Sequence, residues 1–190
     1  MKTIILDTET SGLPITKKFG QYYHPSLLNY YDSSRIIEIG YIVFFSNKEL
    51  FRRSFIIKPN GFTITNENIH GITNKFATEK GHNIVDILKI LECDLCDVNT
   101  IVCHNVNFDL NVLLSECYRH NSLKLVEKLQ NLTKECTMLM GQKFLKQKKY
   151  PSLKFLYTHL NNTNNNLKCH RALDDTIMCA DCYFKIKKLN

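Results

Sequence analysis

Residues 2–10 read KTIILDTET, a short apolar run that ends in two acidic residues. Residues 2–6 alternate little between apolar and polar side chains, which predicts a short strand buried on both faces at the centre of a sheet. Asp7 and Glu9 are two positions apart, so both side chains leave the same face, about 6.6 Å apart. Carboxylates this close repel each other unless a cation lies between them, and their oxygens favour hard divalent ions such as Mg²⁺ or Mn²⁺. A lone Asp-X-Glu pair more often just ends a strand at the surface, so the pair alone assigns no function.

The length and composition are typical of a globular protein. The 190 residues predict one domain, residues 1–190, because single cores stop growing only beyond roughly 250 residues. Hydrophobic residues make up 44% and charged residues 23%, which argues against a disordered chain or a coiled coil. The most apolar stretches, residues 35–45 and 84–91, are shorter than the roughly 18 residues that cross a bilayer, which excludes a transmembrane protein. Acidic residues interrupt the N-terminal apolar run, so no signal peptide is expected, and the protein is predicted to be cytoplasmic or nuclear.

The charge balance and the cysteines restrict the partners. Twenty-five Lys and Arg against eighteen Asp and Glu give a net charge of +7, which favours polyanionic partners without identifying one. The abundance of Lys, Asn and Ile is typical of an AT-rich genome, such as that of a parasite, a low-GC bacterium or a large DNA virus. The eight cysteines are expected to be free thiols, most of them buried. The pairs Cys93/Cys96 and Cys179/Cys182 have Cys-X-X-Cys spacing, but their separation along the chain disfavours a zinc knuckle.

The remaining pattern predicts an α/β domain with a partly antiparallel sheet. Residues 35–45 and 50–58 read as an antiparallel hairpin joined by residues 46–49, and residues 100–103 as a short buried strand. A fifth, less distinct strand is placed around residues 133–138. Helices are predicted at residues 65–70, 83–91, 107–118 with Asn107 as cap, 122–131, 138–144, 152–160 with Ser152 as cap, and 171–187. The last helix is predicted to bury Leu173, Ile177, Ala180 and Phe184, and the Asn-rich residues 161–166 to form a loop.

Residues 14–34 have no clean periodicity and are interpreted as a long loop. Structureless connections of this length are uncommon in compact domains and are usually functional lids or disordered insertions. We predict a mobile lid, poorly ordered without nucleic acid, whose aromatic residues stack on the bases of a single strand. These residues are Tyr22, Tyr23, Tyr30 and Tyr31. The alternative is an insertion that packs on the protein's own surface.

Several short motifs together resemble the DEDDh 3′-to-5′ exonucleases, the group of the proofreading (epsilon) subunit of bacterial DNA polymerase III. The first motif matches at residues 7–13, DTETSGL. The following strand matches at residues 36–40, IIEIG, and the short helix at residues 69–72, IHGI. The second motif matches at residues 104–109, HNVNFD, and the third at residues 170–175, HRALDD. The matches occur in the family's order along nearly the whole chain, whereas the long segment 14–34 and the Asn tract depart from the family's pattern.

The resemblance implies a ribonuclease H-like fold, with a five-stranded mixed sheet flanked by helices and Asp7 and Glu9 on its central strand. It also implies that two divalent cations, Mg²⁺ or Mn²⁺, are bound by Asp7, Glu9, Asp109 and Asp175, with Asp7 bridging them. His170 would be the general base, since a histidine can accept a proton near neutral pH. Asp174 would have no role, because the family's acid stands five residues after its histidine. Taken singly, Asp109 and Asp175 are equally well explained as acids that complement a helix dipole.

Weaker predictions concern substrate contacts. The residues proposed to hold the 3′-terminal nucleotide are Thr8, Thr10, Leu13, His70, Asn105 and Phe108. For most of these residues the alternative is that they only maintain the local structure of the motif and do not contact substrate. His104 is expected to have a structural role. The lysine run formed by Lys143, Lys146, Lys148 and Lys149 either contacts the nucleic-acid backbone or is a solvated face.

The expected function is therefore metal-dependent 3′-to-5′ exonuclease activity that releases nucleoside 5′-monophosphates. DNA is favoured as substrate, with single-stranded or frayed ends. An exoribonuclease of the same superfamily is an alternative, although the first motif departs from the oligoribonuclease form. A catalytically inactive module that binds a DNA polymerase or a replication complex is a second alternative, disfavoured because all the catalytic positions are intact. The oligomeric state is not predicted.

Overall fold

The computed structural model describes residues 1–18, 20–163 and 170–189. The strands, in chain order, are β1 (Lys2–Thr10), β2 (Thr16–Lys18), β3 (Gln21–Tyr22), β4 (Ile36–Phe45), β5 (Lys48–Ile56), β6 (Val98–Cys103) and β7 (Thr133–Cys136). The α-helices are α1 (Glu67–His70), α2 (Asn74–Lys80), α3 (Ile84–Asp94), α4 (Val106–Arg119), α5 (Leu123–Asn131), α6 (Thr137–Phe144), α7 (Leu153–Asn161) and α8 (Ala172–Leu189). A 3-10 helix covers Leu28–Tyr30.

The main sheet has five strands in the order β5-β4-β1-β6-β7. Strand β1 pairs antiparallel with β4 and parallel with β6, and β6 pairs parallel with β7. This arrangement confirms the predicted five-stranded mixed sheet with the first strand at its centre, and β7 confirms the predicted fifth strand. Ile4, Ile5 and Leu6 are fully buried because helices cover both faces of the sheet.

The predicted hairpin forms, but its connection is tighter than the sequence suggested. Ser46 and Asn47 make a two-residue turn with φ values of 48° and 66°. Positive φ at both central residues is the requirement of a type I′ turn, whose twist matches that of the flanking strands. Lys48 and Glu49, which were predicted to belong to the connection, are therefore the first residues of β5.

Helices α3, α4 and α5 contribute to the large cluster on one face of the sheet, and α8 packs on the other face. The predicted buried stripe of α8 is confirmed for Ala180, which is buried, and for Leu173 and Phe184, which pack partly buried against the core, but it is wrong for Ile177, which is 38% exposed. The other residues that the helix buries include Ala172, Thr176, Cys179, Tyr183 and Ile186.

Gly40 explains the orientation of α8. A Cβ at this position of β4 would lie 2.5 Å from the backbone carbonyl carbon of Ala172, so only glycine lets the helix start so close to the sheet. The Thr176 hydroxyl donates to the Gly40 carbonyl oxygen over 3.0 Å. The small side chains at the start of α8 are therefore those that face the sheet.

Two other helix boundaries differ from the predictions. Helix α4 is capped by Asn105, whose φ of 81° lies in the left-handed region, and Asn107 is within its first turn. Helix α2 was not predicted; its cap is the Thr73 side chain, which accepts a hydrogen bond from the Phe76 amide. The Ser152 cap of α7 is confirmed, since its hydroxyl accepts from the Phe155 amide over 3.2 Å.

The segment of residues 14–34 is folded in its described part, so its interpretation as a structureless loop is wrong. Strands β2 and β3 pair antiparallel as a separate two-stranded sheet. Tyr31 is fully buried and its hydroxyl donates to the Tyr23 carbonyl oxygen over 2.5 Å, so it cannot stack on a base. Tyr23 and Tyr30 stack on each other with ring centroids 3.7 Å apart. The aromatic residues thus pack largely within the protein.

The predictions for the Asn tract and for the cysteines can be compared with the structure only in the described residues. Asn161 ends α7, and Asn162 caps it in the left-handed region; residues 164–166 and Cys169 lie outside the described residues. All described cysteines are free thiols. Those that are buried are Cys103, Cys117, Cys136, Cys179 and Cys182, whereas Cys93 and Cys96 are exposed.

Within the described ranges, no helix combines the length and the apolar character needed to cross a bilayer.

A buried ion pair ties the end of the 14–34 segment to α4. Arg35 is 8% exposed, and its guanidinium donates to both carboxylate oxygens of Glu116, over 2.5 and 3.2 Å. Burial acts to raise the pKa of Glu116, but hydrogen bonds from His120 and Arg35 outweigh it and hold the pKa below its ordinary value.

Glu116→Gln should lower the free energy of unfolding at pH 7 by about 3 kcal/mol, because it leaves Arg35 buried without a counter-charge. The folded-state pKa lies below that of the unfolded chain, so the stabilisation is complete above about pH 4.5 and is lost as the pH falls through the folded value. Urea unfolding at pH 7, 5 and 4 should show the difference from the parent protein shrinking on acidification. Glu127→Gln, on the exposed face of α5, is the matched control. A difference that stays constant with pH would contradict this account.

Candidate active site

Acidic side chains from three elements meet at the carboxyl end of β1. Asp7 and Glu9 come from β1 itself, Asp109 from the first turn of α4, and Asp175 from the first turn of α8. One possible ligand atom from each of Glu9, His170 and Asp175 lies within 4.8 Å of the others. Residues far apart in the sequence are thus brought together at one end of the sheet.

The connection from β6 to α4 positions Asp109. Because β6 runs parallel to β1, its carboxyl end reaches the same edge of the sheet, and α4 starts there. Asp109 is 2% exposed, and its Oδ1 accepts hydrogen bonds from the amide and the hydroxyl of Thr8, over 3.0 and 2.9 Å. The acid of the second motif is therefore fixed directly to the strand of the first.

Glu38 positions the start of α8. This residue of β4 stands opposite Glu9 in the strand register and is 1% exposed. Its carboxylate accepts from Arg171 Nε and Nη2 over 3.0 and 2.9 Å, and from the Ala172 amide over 3.1 Å. Asp175 is in turn fixed by the His170 amide, which donates to its Oδ2 over 3.1 Å.

Neither Glu38 nor Arg171 was singled out from the sequence beyond its place in a motif. The sequence did contain a signal for Glu38, which is an acid in the middle of an apolar strand. A buried carboxylate needs a hydrogen-bond or ion-pair partner, so such a position indicates that one lies nearby.

The carboxyl groups repel one another. Burial, then the carboxylate of Asp109, raises the pKa of Asp7 well above its usual range. Burial, then the charge of Asp175, raises the pKa of Glu9 to about 8. Burial also raises the pKa of Asp109 to about 7, although hydrogen bonds from Thr8 act in the opposite direction. The pKa of Asp175 is raised mainly by burial as well.

This donor set fits divalent cations. Among the described residues, the cluster offers carboxylate oxygens and the ring of His170, and oxygen donors select hard ions such as Mg²⁺ and Mn²⁺. A positive charge between the carboxylates would offset both their burial and their mutual repulsion, which together raise their pKa values. By contrast, Asp174 is exposed to solvent, whereas Asp175 faces the cluster.

The two other histidines of the motifs are held inside the protein. His104 Nδ1 lies 3.0 Å from the Thr137 hydroxyl and Nε2 3.0 Å from the Pro151 carbonyl oxygen, and burial lowers its pKa to about 4. This geometry is that of a structural residue. His70 is 5% exposed; its Nδ1 accepts from the Ile72 amide over 3.1 Å, and its Nε2 has no hydrogen-bond partner among the described residues.

The other predicted substrate contacts occupy different environments. The hydroxyl of Thr8 is used by Asp109, and that of Thr10 donates to the Gly12 carbonyl oxygen over 2.7 Å, so both are engaged within the protein. Leu13 is 75% exposed. Phe108 is half-buried against the core.

Tyr22 approaches this site from the 14–34 segment. Its pKa is raised mainly by burial; a hydrogen bond with the Asn105 side chain lowers it, and the carboxylate of Asp109 raises it. The sequence suggested Tyr22 only as a stacking residue. Its position beside the second motif depends on the packing of β3 against α4. This contact between distant segments cannot be predicted from a local sequence pattern.

Comparison with known proteins assigns the family. The profile of the exonuclease (RNase_T) family matches residues 4–183. The chain belongs to this exonuclease family. It is thus a nuclease domain of the DEDD superfamily, although the match does not single out the epsilon proofreading subunit. The comparison with curated proteins returned no match.

Several solved structures share the fold of this RNase_T-family chain. Exonuclease X, in complex with 5′-overhanging duplex DNA, is 22% identical with a TM-score of 0.65, and the match covers 99% of this chain and 92% of that one. E. coli Exonuclease I in complex with a dA16 oligonucleotide is 20% identical with a TM-score of 0.71, but the match covers only 41% of its chain and 98% of this one. S. pombe Pop2p, in a form with bound Mg²⁺ and Mn²⁺, is 19% identical with a TM-score of 0.71, over 98% of this chain and 82% of Pop2p. At these identities the likeness establishes the fold.

Proposed function

We propose that this chain is a metal-dependent 3′-to-5′ exonuclease that removes nucleoside 5′-monophosphates from single-stranded or frayed DNA ends. The convergence of acids from β1, α4 and α8 beside His170 carries this proposal. The residues that would hold two Mg²⁺ or Mn²⁺ ions are Asp7, Glu9, Asp109 and Asp175. When bound, two such ions supply a nucleophilic water, charge stabilisation at the phosphoryl oxygens and help for the leaving 3′ oxygen.

The chain's own residues have separate roles in this proposal. His170 accepts the proton of the attacking water, since its ring reaches the same cluster as Glu9 and Asp175. Arg171 holds this part of the chain in place through its two bonds to Glu38. Asp109, anchored by Thr8, keeps its carboxylate beside β1.

The 3′-terminal nucleotide is proposed to bind at the rim of the cluster. Exposed Leu13 offers an apolar surface for the base, and Asn105, Phe108 and His70 complete the contact. Thr8 and Thr10 contribute by shaping the end of β1, because their hydroxyls are already hydrogen-bonded.

We further propose that residues 1–190 act as a single catalytic domain without a polymerase subunit. All the proposed catalytic groups come from this chain. An inactive polymerase-binding module would not need this acidic cluster, whose repulsion disfavours folding unless a cation is bound.

The test is digestion of matched single-stranded DNA and RNA, each labelled at the 5′ or the 3′ end, with Mg²⁺, Mn²⁺ or a chelator. With a 5′ label, we expect a ladder of products shortened one nucleotide at a time, whereas a 3′ label should be released at once as a mononucleotide. The chelator should stop both. Faster loss of RNA than of DNA would assign an exoribonuclease. Internal cuts, shortening from the 5′ end, or cleavage that persists in chelator would contradict the proposal.

A further inference from the structure

An open groove of about 1170 Å³ lies beside the candidate active site. It follows β7, the edge strand of the main sheet, and α6, and ends at the start of α4. We call it the lysine groove; among its lining residues are Lys134, Lys143, Lys146, Phe144, Tyr150 and Asn105. Its volume exceeds the roughly 300–1,000 Å³ of typical small-molecule pockets, and its open shape suits a chain better than a compact ligand.

Positive charge is in excess in the lysine groove, whose described lining holds four lysines and one acid. Lys143 and Lys146 are exposed and make no ion pair with any residue that the structure describes. The acid of the groove, Glu135, is bound to Lys187 over 2.8 Å. A phosphate backbone is the natural counter-charge for lysines arranged along a groove.

Apolar surface lies between these lysines. Tyr150 is 46% exposed and Leu139 is 49% exposed, and Phe144 is half-buried next to them. Cationic side chains interleaved with aromatic ones are the combination that binds single-stranded nucleic acid, because bases stack on rings while phosphates meet the charges. In a duplex the bases are stacked on each other and are not available for this contact.

The lysine groove leads to the proposed catalytic cluster. Asn105 lines the groove and caps the helix that carries Asp109. At Gly20 and Asn107 the groove meets a smaller one of about 520 Å³, whose lining includes Lys17 and Tyr22 from the 14–34 segment. A strand lying in the groove therefore passes the start of α4, where the acids converge.

We propose that the lysine groove binds the single strand several nucleotides away from the end that reacts. This inference rests on the proposed function, since it takes the acids to be the cutting site. In this inference Lys143 and Lys146 contact phosphates of the strand. Lys148 and Lys149 do not line the groove and belong to a solvent-exposed face. The chain would then prefer long single strands to dinucleotides.

The test compares kcat/KM on a dT20 oligonucleotide with kcat/KM on the dinucleotide dT2, which is too short to reach the groove. For Lys143→Ala/Lys146→Ala we expect the dT20-to-dT2 ratio to fall about tenfold, and the salt dependence of dT20 binding to become shallower by about 1.4, or 0.7 for each phosphate contact. Binding is measured separately by fluorescence anisotropy of labelled dT20 in a chelator, which needs no cleavage. Melting temperatures of all variants establish that they are folded.

Lys75→Ala/Lys80→Ala is the matched control. It removes the same charge from two exposed lysines of α2, which packs near the end of β5 at the opposite edge of the sheet. The control should change the ratio and the affinity less than twofold. Equal effects of the two pairs, or no loss of dT20 affinity in the groove variant, would overturn the inference. A parent protein that binds dT20 but cleaves neither substrate would instead refute the proposed function, and the anisotropy comparison would still decide about the groove.

Discussion

Asp7→Asn should abolish cleavage of single-stranded DNA while raising the melting temperature of the metal-free protein. Removing one carboxylate from the set that binds the cations should cost several kcal/mol of transition-state stabilisation, or at least about 1,000-fold in kcat/KM. The same change removes the burial cost and the repulsion from neighbouring carboxylates that together raise the pKa of Asp7, so the fold gains stability. For a chain of this size, each 1 kcal/mol corresponds to about 2–4 °C.

Thermal melts with and without Mn²⁺ check the second half of this prediction. Mn²⁺ should raise the melting temperature of the parent protein, because a ligand that binds only the folded state stabilises it, and should raise that of the variant much less. Asp97→Asn, an exposed change of the same chemistry, should alter neither activity nor the Mn²⁺ effect. Retained cleavage in Asp7→Asn would rule out the proposed mechanism.

Asp175→Asn and Asp174→Asn should differ by at least about 1,000-fold in kcat/KM, although the two residues are neighbours. The carboxylate of Asp175 lies in the cluster with Glu9 and His170, so its loss should remove a cation ligand. Asp174 is exposed on the outer side of α8, and its variant should stay within about twofold of the parent protein.

The two variants control for each other, because both remove a negative charge from the first turn of α8. Both changes therefore weaken the favourable interaction of an acid with the helix dipole. Circular dichroism and melting curves should show equal helix content for the two variants. Equal loss of activity in both would mean that the acid of the third motif is assigned to the wrong position.

The sequence was sufficient to predict the central sheet, because its signals are local. The apolar run of residues 2–6, the hairpin and the capped helix α7 each depend on neighbouring residues, and they are confirmed. The order of the motifs placed the sheet in a known fold, which the family match bears out. The roles of the proposed catalytic residues remain predictions, and the structure supports them by bringing Glu9, His170 and Asp175 together.

The errors concern features that depend on distant contacts. The close approach of α8 to the sheet depends on Gly40, on a strand far away in the sequence, and helical periodicity alone wrongly placed Ile177 in the core. Tyr31 was assigned to a lid because nothing in residues 14–34 shows that the core is beneath it. Glu38 was passed over as a strand residue, since its partner Arg171 is 133 positions away.

The bond between Glu38 and Arg171 also bears on the order of folding. Asp7 and Glu9 are made early in synthesis, whereas His170 and Asp175 come late and can dock only after α8 has reached β4. Contacts between residues so distant in sequence form slowly, because a long loop must close first. A growing chain on the ribosome therefore carries an incomplete acidic cluster for most of its synthesis, close to messenger RNA, because Asp175 is the last of the four acids to be made. Completion of α8 is the step at which the chain is expected to become able to cut.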